Sequence, residues 1–167
     1  MVPPTSKEPG TVLGDRVKVW FRFVPREGWL PQDSEGLWAT VLSGDTAQVN
    51  NVPFLVPGVA QDDVVRYVIG DDGLRWVTER VEWSGNCTVR VLPAAKGPLG
   101  PSARAVHDLF APYGLGGEAF SLQLPLVALN VPPTADLRQI KALLIRGQDE
   151  GWWGFELSCT SDAWEAA

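Results

Sequence analysis

The order of hydrophobic periods after residue 86 is the feature that most restricts the fold. Cys87-Thr88-Val89-Arg90-Val91-Leu92 alternates as a strand. Ser102 then caps a helix carrying Ala103, Val106, Leu109, Phe110 and Tyr113 at helical spacing, with Gly114 at its end. Residues 118–123 and 126–131 read as two strands about Pro125. Thr134 caps a second helix with Leu137, Ile140, Leu144 and Ile145 on one side and Gly147 as its stop, and residues 152–159 form a last strand. Strand, helix, strand, strand, helix, strand is the split βαβ order of ferredoxin-like domains.

The first half keeps a period of two. Val17, Val19, Phe21 and Phe23 share one face of the clearest strand in the chain, and residues 25–36, with their prolines and glycines, read as a loop. Strands follow at 37–42 and 46–50, separated by Ser43-Gly44-Asp45. Pro53 and Pro57 interrupt pairing, a strand resumes at Asp63, and Gly70-Asp71-Asp72-Gly73 turns into a return strand from Leu74 to Trp83. The expected architecture is α+β: an N-terminal antiparallel β-rich half (15–84), a bent sheet or partly open barrel, packed on a ferredoxin-like βαββαβ half (85–160). A disordered tail is expected at 1–14 and a further tail at 161–167.

Charge and cysteine usage narrow the function classes. With a net charge of −6 and arginines scattered singly, the chain repels phosphate backbones, so no nucleic-acid partner is expected. No signal peptide or membrane-length apolar run is legible, so no membrane partner is expected either. Two cysteines, Cys87 and Cys159, are too few for a disulfide framework or a structural zinc site and fit a reducing cytoplasm. In the ferredoxin-like order the first and last strands pair antiparallel, which makes these two thiols neighbours. Eight tryptophans supply cores, pockets and interfaces alike.

No catalytic residue, metal ligand set or cofactor is expected. His107 is the only histidine and sits beside the apolar stripe of its helix. Asp62 and Asp63 enter a strand and point to opposite faces, and Asp71-Asp72 occupy a hairpin tip. Gly114-Leu115-Gly116-Gly117 does not join a strand to a helix, so it is no dinucleotide fingerprint. The candidate binding residues are polar: Asn51, Asp63, Ser84, Asn86, Thr88, Arg90 and Glu118. Gly85 allows a tight turn in which Ser84, Asn86 and Thr88 surround a ligand oxygen or satisfy their own backbone. Arg90, flanked by valines, is expected to have a carboxylate partner, with Glu118 or Asp63 the best candidates.

Asn51-Val52-Pro53-Phe54 followed by Asp63-Val64-Val65, Ser84-Gly85 with Thr88-Val89-Arg90, and Gly116 or Gly117 with Glu118 together carry a family resemblance. From about Val17 to Leu157 the chain resembles the uncharacterised bacterial family domain of unknown function (DUF) 4265. The resemblance marks positions and implies no activity. Two function classes fit: a cytoplasmic, non-catalytic interaction or regulatory protein, or a small-molecule binder or enzyme with a pocket between the halves. The partner is accordingly another protein or a small molecule. A flat exposed patch bearing Trp20, Trp76 or Trp153 favours the first; a deep apolar cavity near Asn51, Ser84 and Arg90 favours the second.

Overall fold

A computed structural model of the protein describes residues 12–25 and 31–167, so most of the expected N-terminal tail and the middle of the 25–36 loop lie outside the described residues. The fold is mixed α+β and mostly antiparallel. It divides into two compact units, one made of the residues up to Asn51 with Gln61–Ser84, the other of Val52–Ala60 with Gly85–Ala167. Val52–Ala60, expected within the β-rich half, therefore sorts with the second unit. Among the described residues no helix is long and apolar enough to cross a membrane.

The first unit is a five-stranded barrel of β1 (Arg16–Arg22), β2 (Ser34–Val41), β3 (Thr46–Val49), β4 (Val64–Ile69) and β5 (Arg75–Glu82). Neighbours in sequence pair antiparallel, and β1 closes the ring on β5 in parallel, through Val19 opposite Arg75 and Trp20 opposite Trp76. The barrel is thus closed, where a bent sheet or a partly open barrel was expected. Register shifts in the β4–β5 ladder, at Val64/Val65 and Arg66/Tyr67, add the local twist that closure demands. Strand β2 also starts earlier than its apolar run, because Ser34 to Gly36 pair with Arg22 to Trp20 of β1. Val19, Ala39, Val49 and Val65 fill the interior with no exposed surface. Each valine so buried is worth about 1.5–3 kcal/mol.

The second unit contains β6 (Cys87–Pro93), α1 (Ala103–Phe110), β7 (Gly116–Ala119), β8 (Val127–Val131), α2 (Leu137–Asp149), β9 (Trp153–Cys159) and α3 (Asp162–Ala166). The strand order is β7-β8-β6-β9, antiparallel throughout. Cys87, Val89 and Val91 of the central strand join Val106 and Phe110 of α1 and Ile140 and Leu144 of α2 in one core. Strand β6 is buried along nearly its whole length, the mark of a strand covered on both faces.

Several local expectations change. The Oγ of Ser102 caps α1, accepting from the Ala105 N–H, and Gly114 ends the following 3-10 turn (111–113) in the left-handed region at φ 72°. Helix α2 is capped by Asp136, whose Oδ1 accepts from Gln139 N–H, and not by Thr134. Gly147 does not stop α2; it lies inside the helix, where a Cβ would land on the Trp153 indole. The strand expected at 118–123 is β7, displaced toward Gly116, because Ser121 folds back in a turn on Leu124. The expected C-terminal tail is helix α3: Ser161 caps it by accepting from Trp164 N–H, and burying the Trp164 indole supplies its stability.

Candidate functional site

The seven polar candidates divide between the units, Asn51, Asp63 and Ser84 in the first and Asn86, Thr88, Arg90 and Glu118 in the second. In the first unit, the buried carboxylate of Asp63 accepts from the Ser84 N–H at 2.8 Å and the Arg80 guanidinium at 3.1 Å, and the Ser84 hydroxyl donates to the Gln61 carbonyl at 2.9 Å. These bonds tie the end of β5 to the start of β4. Asn51 accepts from the Trp38 N–H at 2.9 Å and so prolongs the β2–β3 ladder beyond its last backbone pair.

In the second unit, Thr88 and Arg90 lie on the sheet face opposite the helices and hold the segment Val52–Ala60. Thr88 donates to the Val59 carbonyl at 2.9 Å, and the Arg90 Nη2 donates to the Val56 carbonyl at 2.7 Å. The carboxylate partner of Arg90 is Glu156, at 2.9 Å from Nη1, and not Glu118 or Asp63. Register explains the choice, since Glu156 stands directly opposite Arg90 on β9, whereas Glu118 sits two strands away behind Ala128. Glu118 is exposed, and Asn86 is half-buried where the chain enters β6. Ser158 is the extra residue of a bulge in β9 between Cys159, which opposes Thr88, and Leu157, which opposes Val89. Its carbonyl accepts from Gly58 N–H at 2.9 Å and its hydroxyl lies 3.5 Å from the Val56 carbonyl.

The remaining titratable groups have structural surroundings. His107 is half-buried on α1. Cys87 lies in the core with its Sγ 3.5 Å from Ser161 Oγ. Because Cys159 opposes Thr88, Cys87 and Cys159 are neighbours offset by one residue; their side chains leave opposite faces and form no disulfide. Asp62 occupies a turn in the left-handed region at φ 71° and is exposed, while Asp63 is buried; both precede β4, so the turn and not strand alternation sets their directions. The Asp72 carboxylate, at the hairpin tip, accepts from Leu74 N–H and from the Trp76 indole; these bonds, the backbone one first, hold it below the usual carboxylate range. Among the described residues no group of three or more His, Cys, Asp or Glu side chains converges to hold a metal ion.

A constellation of which the sequence marked only Trp20 and Trp76 stands on the outer face of the barrel. Alternation along β1 turns Arg16, Lys18, Trp20 and Arg22 outward, and alternation along β2 does the same for Ser34, Gly36, Trp38 and Thr40. None of these outward positions carries a carboxylate. Arg16 lies over the Trp38 ring at 4.7 Å, Lys18 reaches both Trp38 and Trp20, and Arg22 stacks on Trp76 at 3.8 Å. Trp20 and Trp76, facing each other across the β1–β5 closure, have ring centroids 6.2 Å apart. Gly36 leaves room for the stripe, since a Cβ there would meet Lys18 Cε at 2.7 Å and the Trp20 ring at 3.1 Å and would make both give way. Arginines that looked scattered in sequence thus form a local basic stripe. The signal was legible in β1, where every outward residue is a cation or a tryptophan. Trp153, grouped with Trp20 and Trp76 as a patch candidate, is instead buried under α2.

The sequence profile of the family described as "Domain of unknown function (DUF4265)" matches residues 35–155. No curated protein matches the chain. Its fold is similar to that of a solved structure described as "Novel crystal structure of a hypothetical protein from Neisseria gonorrhoeae", with a TM-score of 0.72 and 15% identity over 88% of this chain and 96% of that one. At that identity the likeness concerns the fold alone.

Proposed function

The chain belongs to the DUF4265 family, and on that premise we propose that it is a non-catalytic interaction protein whose barrel presents a binding face. The observation that carries this reading is the stripe of Arg16, Lys18, Trp20, Arg22, Trp38 and Trp76. Tryptophan and arginine dominate the energetics of protein–protein contacts, because each supplies large, rigid area with a polar edge. The polar residues that looked like a ligand site support the same reading. Asp63, Thr88 and Arg90 direct their hydrogen bonds to the protein's own backbone and side chains. We read the second unit as ferredoxin-like, which its strand order β9-β6-β8-β7 supports, and we place the protein in the cytoplasm on its cysteine usage.

Native mass spectrometry of protein purified from its own host tests the reading. Wild-type protein is expected to retain a protein partner that the exposed-site variant Arg16→Gln/Lys18→Gln/Arg22→Gln loses. Retention of a small molecule in both proteins, with no protein partner, would favour a ligand-binding function instead.

A further inference from the structure

Within the interaction reading, we infer that the partner of the barrel stripe is an acidic peptide segment bound in extended conformation along β1. Charge is the first reason. Arg66, Arg80, Arg90 and Arg104 each meet a carboxylate within 4.0 Å. Among the described residues Arg16, Lys18 and Arg22 meet none at that distance; each is held over a tryptophan ring instead. In a chain of net charge −6, three exposed cations on one strand face, none in an ion pair within 4.0 Å although Arg22 does feel the Asp72 carboxylate, form a local positive field suited to an anionic partner. A guanidinium held over an indole is also restrained, so its N–H fork can engage a carboxylate at less entropic cost.

Geometry gives the form of the partner. Outward residues of a strand recur every two positions, roughly 6.6 Å apart, and an extended peptide has the same repeat. Carboxylates two residues apart therefore reach Arg16 and Lys18, an apolar side chain two further on meets Trp20, and a carboxylate two beyond that meets Arg22. A single-stranded nucleic acid fits less well. Its bases need open aromatic faces, whereas Trp76 is half-buried with Arg22 over its ring, and Trp38, though 41% exposed, has Arg16 and Lys18 over its ring.

The test titrates the intact protein with the synthetic peptide Asp-Ser-Asp-Ser-Leu-Ser-Asp by calorimetry, beside its Asn-for-Asp counterpart and oligodeoxythymidine. The acidic peptide is expected to bind, and to lose about tenfold or more in affinity on Asn replacement and in Arg16→Gln/Lys18→Gln protein of unchanged melting temperature. Equal binding of the neutral peptide, or tighter binding of the oligonucleotide, overturns the inference. A photo-crosslinking amino acid at Ser34, outward and opposite Arg22, separates this from the underlying reading. In the host, a crosslinked acidic segment supports the inference. A crosslinked neutral or basic segment overturns it and leaves the interaction reading standing. No crosslinked protein above the unmodified control removes both.

Discussion

Gly147 shows how a single missing Cβ can fix a packing arrangement. It lies two residues inside the end of α2, and the Trp153 indole occupies the space a side chain would need while donating from Nε1 to the Leu144 carbonyl at 3.0 Å. An alanine normally stabilises a helix interior by about 1 kcal/mol relative to glycine. Here overpacking reverses the sign, and Gly147→Ala is expected to cost about 1–3 kcal/mol. A urea midpoint that rises, or stays put at unchanged slope, would refute the packing argument. From sequence Gly147 looked like a helix stop, since glycine at a helix end and glycine under a tryptophan are the same letter; only Trp153 six residues later distinguishes them. Asp72 supports a pH prediction. Its carboxyl lies below the usual range because Leu74 N–H and the Trp76 indole donate to the ionised form. A depressed folded-state value stabilises the fold above the unfolded value of about 3.9 and loses that contribution as pH falls through the folded value. The Trp76 indole proton resonance should therefore titrate with a midpoint below that of an ordinary aspartate. A midpoint at or above it would mean that the hairpin-tip bonds do not persist in solution.

At the scale of elements, the segment Val52–Ala60 depends on side chains far away in sequence. Its two prolines break strand pairing, and its carbonyls are satisfied by Thr88, Arg90 and Ser158 instead of a ladder partner. Replacing Arg90 by Met removes one of the donors to the Val56 carbonyl, the Ser158 hydroxyl being another, and breaks the ion pair with Glu156. The side chain of Glu156 is 32% exposed, so water recovers part of the loss, and a cost of about 2–3 kcal/mol is expected. Hydrogen exchange should quicken specifically at Gly58, whose N–H is held by the Ser158 carbonyl. Uniform exchange across the chain would show that Arg90 acts on global stability alone. Most strands and helices α1 and α2 were legible because each alternates or repeats over enough residues to bury a face; β7, which has no buried residue, was misplaced. The role of 52–60 was not, because bonds from side chain to distant backbone leave no period in a sequence. Helix α3 escaped for a related reason, since five residues offer little periodicity and only the burial of Trp164 fixes them.

At the scale of the whole molecule, the chain crosses between the two units three times, after Asn51, after Ala60 and after Ser84. The change of hydrophobic period near residue 86 marked the last crossing. The first two were hidden, because Val52-Pro53-Phe54 and Val59-Ala60 are as apolar as the strands on either side. A protease site introduced after Gly85 and cut in the folded protein yields one piece ending there and another carrying β6 to α3. The first piece still holds Val52–Ala60, whose Val52, Val56, Val59 and Ala60 are buried and whose carbonyls accept from Thr88 and Arg90 on the second piece. Burying those four apolar side chains and keeping those acceptors satisfied both oppose separation. The nicked protein is therefore expected to elute as one species in native buffer and as two in urea. Adding Arg90→Met to the nicked protein should lower the urea concentration at which the pieces part. Two separate peaks in native buffer would mean that Val52–Ala60 is only draped on the second unit and is not a structural part of it.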